Sequence, residues 1–245
     1  MTRQDLMNPA PEYRTNTMPR EQLDKWYDED YFNNYPKHDR RITQIIRNIK
    51  LSETDNICEF GCGPGHILIA MAGKIHHGTG IDVSEYAVSL AQKSARQADI
   101  HNLDFRSEDI EHLADNTGLA GKFDKVLMMD ISEHLYDDTL IRFFRSAKTI
   151  LKPGGQLIIH TPNAGYCLER MKARNFVLKQ FESHIAVRNY SQHLPLLEAA
   201  GFRAIQVTYL PHYNRIIGLA DRLLMGLPFI GRLFRARMLI VARSD

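Results

Sequence analysis

Short apolar runs alternate with helical spacings along most of the chain. The runs Asn56–Phe60, Thr79–Val83, Leu103–Ser107, Lys125–Met129 and Gln156–Thr161 have strand length and character. Between them, residues 65–74, 84–97 and 138–151 repeat apolar positions at helical spacing. Strands alternating with helices predict βαβ units and a parallel sheet. Ahead of the first run, Ile42, Ile45, Ile46 and Ile49 predict a helix that starts near His38. Beyond the last, a helix over 191–200 is predicted to stop at Gly201, with strands over 203–209 and 238–243 after it. Two stretches break the alternation, about 163–190 and about 211–236, and are predicted to be insertions. The first 37 residues read as an arm and an aromatic cap, containing Tyr27, Tyr31 and Phe32, leaving one main domain over 38–245.

Composition narrows the picture only slightly. At 245 residues the chain is long enough to bury a substantial α/β core, and 44% hydrophobic with 24% charged residues suits a globular protein. Lysine and arginine total 31 against 29 acids, so no nucleic-acid partner is expected. The first 20 residues have no apolar core of a secretory signal, and no run of about 18 apolar residues occurs. Three cysteines, Cys58, Cys62 and Cys167, have no framework spacing, and a reducing cytoplasm is the expected location.

The chemistry concentrates where strands run into turns. Ile57-Cys58-Glu59-Phe60-Gly61-Cys62-Gly63-Pro64-Gly65 is a strand entering a glycine-dense turn and then an apolar helix. Glycine permits unusual dihedrals there and lets a ligand approach the backbone, while the helix start offers free N–H groups. A phosphate-binding Walker loop would need Gly-Lys-Ser/Thr, which is absent, and the third glycine of a dinucleotide fingerprint is missing. In Gly80-Ile81-Asp82-Val83-Ser84, Asp82 ends the next strand, where a carboxylate can accept from both hydroxyls of a ribose. Ser84 is placed to cap the helix that follows. Asp109, in Ser107-Glu108-Asp109-Ile110, can accept from an adenine amino group, with Ile110 against the ring.

With Phe123-Asp124-Lys125-Val126-Leu127-Met128-Met129-Asp130-Ile131-Ser132-Glu133-His134-Leu135 and Leu151-Lys152-Pro153-Gly154-Gly155, these motifs form an ordered set over about 41–161. In order and spacing the set resembles the class I S-adenosylmethionine-dependent methyltransferases, with a flavour of the O-methyltransferases of ubiquinone biosynthesis. The resemblance implies a single Rossmann-like, doubly wound α/β fold. Its seven-stranded sheet would be mostly parallel, with an antiparallel strand pair at the edge and helical insertions. It implies S-adenosyl-L-methionine as cofactor and assigns roles. Arg41 would pair with the methionine carboxylate, and Glu59, Gly61, Cys62, Gly63 and Gly65 would form the turn beside it. Asp82 would hold the ribose, Val83 and Ile110 would sandwich adenine, Asp109 would read its amino group, and Met129 and Asp130 would line the pocket near the sulfonium.

Transfer from a sulfonium needs an oriented acceptor and a dry site, and a base only for a poorly acidic acceptor. His134 can be that base, or a cap or support for a neighbouring group. Asp130, Glu133, His134 and Asp137 could together chelate a cation, but Asp137 and Asp138 stand where the related metal-using pattern wants a histidine, so no metal is predicted. Tyr31, His160, Asn163, Tyr166 and His184 are the candidate acceptor contacts. The five basic residues over 163–190 (Arg170, Lys172, Arg174, Lys179 and Arg188) suit either a lid or a solvated helix.

The predicted acceptor is small or lipid-like, methylated at oxygen. Transfer to nitrogen or carbon, or a catalytically silent cofactor-binding module, are the alternatives. From Arg215 to Arg237 an apolar, helical stretch carries five arginines and one acid. A basic amphipathic stretch of this kind over 213–236 can rest on an anionic membrane, wall the acceptor pocket or mediate self-association. The sequence leaves the oligomeric state open.

Overall fold

The computed structural model describes residues 29–33, 39–115, 118–176 and 178–244. The arm over 1–20, Tyr27 and the helix start at His38 lie outside them. Two helices precede the sheet, α1 (Glu29–Asn33) and α2 (Asp39–Asn48). The alternating body then follows as β1 (Asn56–Phe60), α3 (His66–Met71), β2 (His77–Asp82), α4 (Glu85–Gln97), β3 (Leu103–Ser107), β4 (Phe123–Met129), α5 (Asp137–Ile150) and β5 (Leu151–Pro162). The chain finishes with α6 (Cys167–Ala173), α7 (Tyr190–Ala199), β6 (Arg203–Leu210), α8 (Arg215–Leu224) and β7 (Arg237–Arg243).

The seven strands lie in the order β3-β2-β1-β4-β5-β7-β6. All pairings from β3 to β5 are parallel, while β7 runs antiparallel to both β5 and β6. The antiparallel pair expected at the edge is therefore β7 with β6. Strand order reverses at β1, so the carboxyl ends of β1 and β4 open the crevice in which such sheets bind ligands.

Period-2 alternation divides the core into two layers. Phe60, Val126, Met128, Leu157, Ile159 and Ile240 face Leu140, Phe143 and Phe144 of α5 and Leu196 and Leu197 of α7. Their sequence neighbours Ile57, Leu127, Met129, Ile158 and Leu239 face Ile45 of α2, Leu68 and Met71 of α3, and Val88 and Ala91 of α4. Strands buried on both faces must be apolar at consecutive positions, which is why they read as apolar runs. Hydrogen bonds fix the ends. Ser84 accepts from Ala87 N at 3.2 Å to cap α4, as predicted. Asn189 and Gln192 form a reciprocal capping box on α7, and Gly201 ends that helix at φ +85°.

Two boundaries differ from expectation for physical reasons. The strand predicted over Gln156–Thr161 extends back through Lys152–Gly155 into one long β5, whose register against β4 jumps between Phe123 and Lys125. Gly154, at φ +75°, takes the left-handed position that this excursion requires. The apolar stretch read as helical from Arg215 to Arg237 forms a helix only as far as Leu224, and a 3-10 turn over Gly231–Phe234 follows.

Phe144 is fully buried between α5 and the sheet. Phe144→Ala is expected to cost about 3–5 kcal/mol in chemical denaturation, the range for truncating a core aromatic. A loss below about 1 kcal/mol would place this helix outside the cooperative core.

Candidate functional site

The carboxyl ends of β1, β2 and β4 surround a pocket of about 310 Å³. At its floor Gly61, Gly63 and Gly65 all have positive φ, at 65°, 49° and 76°. A side chain at Gly61 would meet Ile131 Cδ1 at 2.4 Å, and one at Gly65 would meet the Phe105 ring at 2.7 Å. The turn is thus both conformationally and sterically restricted to glycine. Asp82 holds it from the next strand, accepting from Gly63 N at 2.8 Å and from Ser84 N at 2.9 Å. A carboxylate offers about four acceptor positions, so capacity for two ribose hydroxyls remains. Val83 and Ile110 line the pocket beside Asp109. Asp109 also accepts from Glu111 N at 2.9 Å, which starts the 3-10 turn that carries Ile110.

The other end of the pocket is organised around one carboxylate. Asp130 leaves β4 in the left-handed region at φ +57°, a conformation that aspartate tolerates better than most residues. It accepts from Arg41 of α2, from Arg237 Nη1 of β7 at 3.1 Å, and from His160 Nδ1 of β5 at 2.9 Å. Burial favours its neutral form, but His160, Arg237 and Arg41 outweigh burial and hold the carboxyl well below its usual range. Two neighbouring carboxyls behave oppositely. Burial pushes Glu59 up to about 8, opposed by Arg41 and reinforced by Asp82. Burial and then the Asp130 charge push Glu133 up to about 8. At neutral pH Arg41 and Arg237 stay charged beside the ionised Asp130. Glu59 Oε2 is buried in this wall with no hydrogen-bond partner among the described residues. A methionine-type zwitterion could set its carboxylate beside Arg41 and its ammonium on Glu59.

Beyond Asp130 the lining turns more apolar, through Ile131, Leu135, Tyr136, Thr139 and Phe143, with His134 among them. The His134 Nδ1–H donates to the Ser183 carbonyl at 2.8 Å. This selects the tautomer with its lone pair on Nε2. Burial lowers the pKa of His134, so the ring is neutral at pH 7. The His184 ring packs edge-on against it, with centroids 4.9 Å apart. Arg188, from the first insertion, clamps the turn that bears His134, donating to the Ser132 and Leu135 carbonyls at 2.7 Å each and to Asp137.

Among the described residues, Glu133, His134 and His184 form the one group whose ligand-type atoms all lie within 4.8 Å of one another. Two of its members are engaged elsewhere, since the Thr161 hydroxyl donates to Glu133 Oε2 at 3.1 Å and His134 Nδ1 is bound to Ser183, while His184 Nδ1 is buried with no hydrogen-bond partner among the described residues.

All the predicted cofactor contacts except Gly65 line this pocket, and Gly65 shapes its floor from one residue away. Of the predicted acceptor contacts, Tyr31 lines it and His184 touches His134. Three others are corrected. His160 is fully buried beneath Asp130 and orients that carboxylate. Asn163 is a turn residue that donates to the Arg235 carbonyl at 2.8 Å and accepts from Gly165 N at 3.0 Å. Tyr166 is buried with its hydroxyl on Asp221, 3.2 Å away, and ties the two insertions together. Of the five basic residues of the first insertion, Arg170, Arg174 and Lys179 are exposed and Lys172 is half-buried, whereas Arg188 is buried. Sequence reasoning missed Arg237, because nothing in a strand pattern shows that its first residue reaches a carboxylate 107 positions earlier.

A family model described as a methyltransferase domain matches residues 27–207. The ubiquinone biosynthesis O-methyltransferase of Marinobacter nauticus is 31% identical over 131 residues, covering 52% of this chain and 53% of that protein. Its namesake from Acinetobacter baylyi is 32% identical over 107 residues, 44% of this chain and 43% of that one. The chain thus spans about half the length of the curated relatives it matches or less. A SAM-dependent methyltransferase structure from Archaeoglobus fulgidus superposes with a TM-score of 0.65 at 14% identity, covering 92% of this chain and all of that one. Phosphoethanolamine N-methyltransferase 2 of Haemonchus contortus, solved with S-adenosyl-L-methionine, gives 0.65 at 16% identity, over 94% and 61%. The chain belongs to the family described as a methyltransferase domain.

Proposed function

We propose that the protein methylates a hydroxyl oxygen on a small, largely apolar, quinol-like acceptor, with His134 as general base and without a metal ion. The observation that carries this reading is His134 itself. It lines the pocket between Ile131 and Leu135, is neutral at pH 7, and has its tautomer set by the Ser183 carbonyl. An O–H acceptor needs such a base, whereas an amine with a lone pair does not. Relatives named for O-methylation in ubiquinone biosynthesis support oxygen as the target.

The residues divide the work. The glycine turn and Asp82 would hold the nucleoside, Asp109 and Ile110 the base, and Arg41 with Glu59 the amino-acid end. When bound, S-adenosylmethionine supplies an electrophilic methyl on a cationic sulfur. Ile131, Leu135 and Phe143 would hold the acceptor ring and exclude water. His134 would take the hydroxyl proton at Nε2 as the oxygen becomes nucleophilic, while the Ser183 carbonyl, accepting from Nδ1, steadies the imidazolium.

Calorimetry with S-adenosylhomocysteine tests the cofactor half. Asp82→Ala removes a charged acceptor for two hydroxyls and is expected to weaken binding at least about tenfold, since such bonds contribute about 1.5–3 kcal/mol each. Unchanged affinity in a folded variant would move the ribose elsewhere.

The acceptor half is tested on a quinol-like substrate. His134→Gln is expected to lower kcat/KM by about 10²–10⁴-fold at pH 7. His134 must be neutral to accept a proton, and burial lowers its pKa from 6.5. Wild-type kcat/KM should therefore fall only as pH drops below that value, and the variant should lack this acid limb. A variant as fast as wild type, with the limb intact, would remove His134 from the chemistry. Stoichiometric metal in the active enzyme would overturn the metal-free reading.

A further inference from the structure

Helix α8 is amphipathic in the opposite sense to an ordinary surface helix. Such a helix turns its apolar stripe to the core and its polar face to water. Here the buried residues are Gly218 and Asp221, while Ile216, Leu219 and Leu223 are 82%, 57% and 70% exposed. Their spacing puts them on one outward face. Leu227, Phe229 and Ile230 continue it past the helix end, with Phe229 93% exposed. An exposed apolar surface of this extent marks a contact with something outside the chain.

The orientation is fixed from inside. Asp221 Oδ2 accepts from His212 N at 2.9 Å and from the Tyr166 hydroxyl at 3.2 Å. A Cβ at Gly218 would lie 2.2 Å from the His212 carbonyl oxygen, so only glycine lets the helix sit this close. Rolling α8 to hide its stripe would break the Asp221 bonds and open that contact.

Positive charge lies along one flank. Arg215 and Arg222 are seven residues apart and share a side of the helix. With Arg40 and Arg47 of α2 they line a groove whose only acid among the described residues is Asp39. All four arginines are exposed, and none forms an ion pair among the described residues. Phosphate oxygens above an apolar layer complement both features at once.

We propose that the α8 face and its arginine groove dock the protein on an anionic phospholipid membrane. The apolar stripe enters the acyl boundary and the arginines meet headgroup phosphates. No described helix is long and apolar enough to cross a membrane, so the contact is peripheral. The inference stands apart from the acceptor proposed above, because it is read without methyl transfer.

Flotation of the full chain with vesicles is the test, comparing phosphatidylcholine alone with phosphatidylcholine mixed with phosphatidylglycerol. Binding to the mixed vesicles is expected to be at least about tenfold stronger and to weaken with added salt. Arg215→Glu combined with Arg222→Glu should lower it by about tenfold or more. Leu223→Ser combined with Phe229→Ser should lower it comparably, and both variants should keep wild-type affinity for S-adenosylhomocysteine. Equal binding to the two vesicle types, or none by a chain folded by circular dichroism, overturns the proposal. So does a dimer by light scattering that Leu223→Ser makes monomeric while neither form floats.

Discussion

The carboxylate of Asp130 is the constraint on which the site depends. It draws Arg41 from α2, His160 from β5 and Arg237 from β7 onto one group at the end of β4. Four elements far apart in sequence are thereby fixed at the mouth of a single pocket. Removing a carboxylate so placed would leave two arginines buried against each other, a larger penalty than any one bond is worth. Its left-handed backbone is the local cost of aiming that carboxylate inward.

Around this hub burial sorts the ionisable groups into distinct states. Asp130 stays charged because His160, Arg237 and Arg41 surround it, whereas burial pushes Glu59 and Glu133 up to about 8. Burial likewise keeps His134, His160 and His184 neutral at pH 7. The pocket thus places Arg41 and the ionised Asp130 at one end and the neutral ring of His134 at the other. The proposed function uses the first to bind a zwitterion and the second to deprotonate a hydroxyl.

What the sequence made legible follows from how each part is encoded. The parallel sheet and the cofactor turn are local, since apolar runs mark strands buried on both faces, and Gly61, Gly63 and Gly65 hold dihedrals few other residues adopt. Asp82 ends β2 and Asp109 lies two residues past β3, so their place on the ligand-binding edge was legible, and both line the pocket. His160, Asn163 and Tyr166 are also at or just past a strand end, yet they point into Asp130, a turn and Asp221. Strand position gives a residue's edge, but not which way its side chain faces once an insertion covers it. Arg188 and Arg237 act over long separations, and helical or strand spacing carries no trace of such partners.

The two insertions are one body, and that bears on how specificity is built. Tyr166 of the first bonds Asp221 of the second, and Asn163 bonds the backbone at Arg235. From the first insertion Ser183 and Arg188 reach His134 and its turn, while the second leads into Arg237. The acceptor wall, the proposed base and the exposed helix α8 are therefore connected through a few buried hydrogen bonds. The cofactor half depends on backbone geometry that many sequences can supply. The proposed acceptor wall comes from the segment after β4. The paired insertion steadies it from behind through the Ser183 carbonyl and Arg188, so changes there would act on the acceptor end and leave the glycine turn untouched.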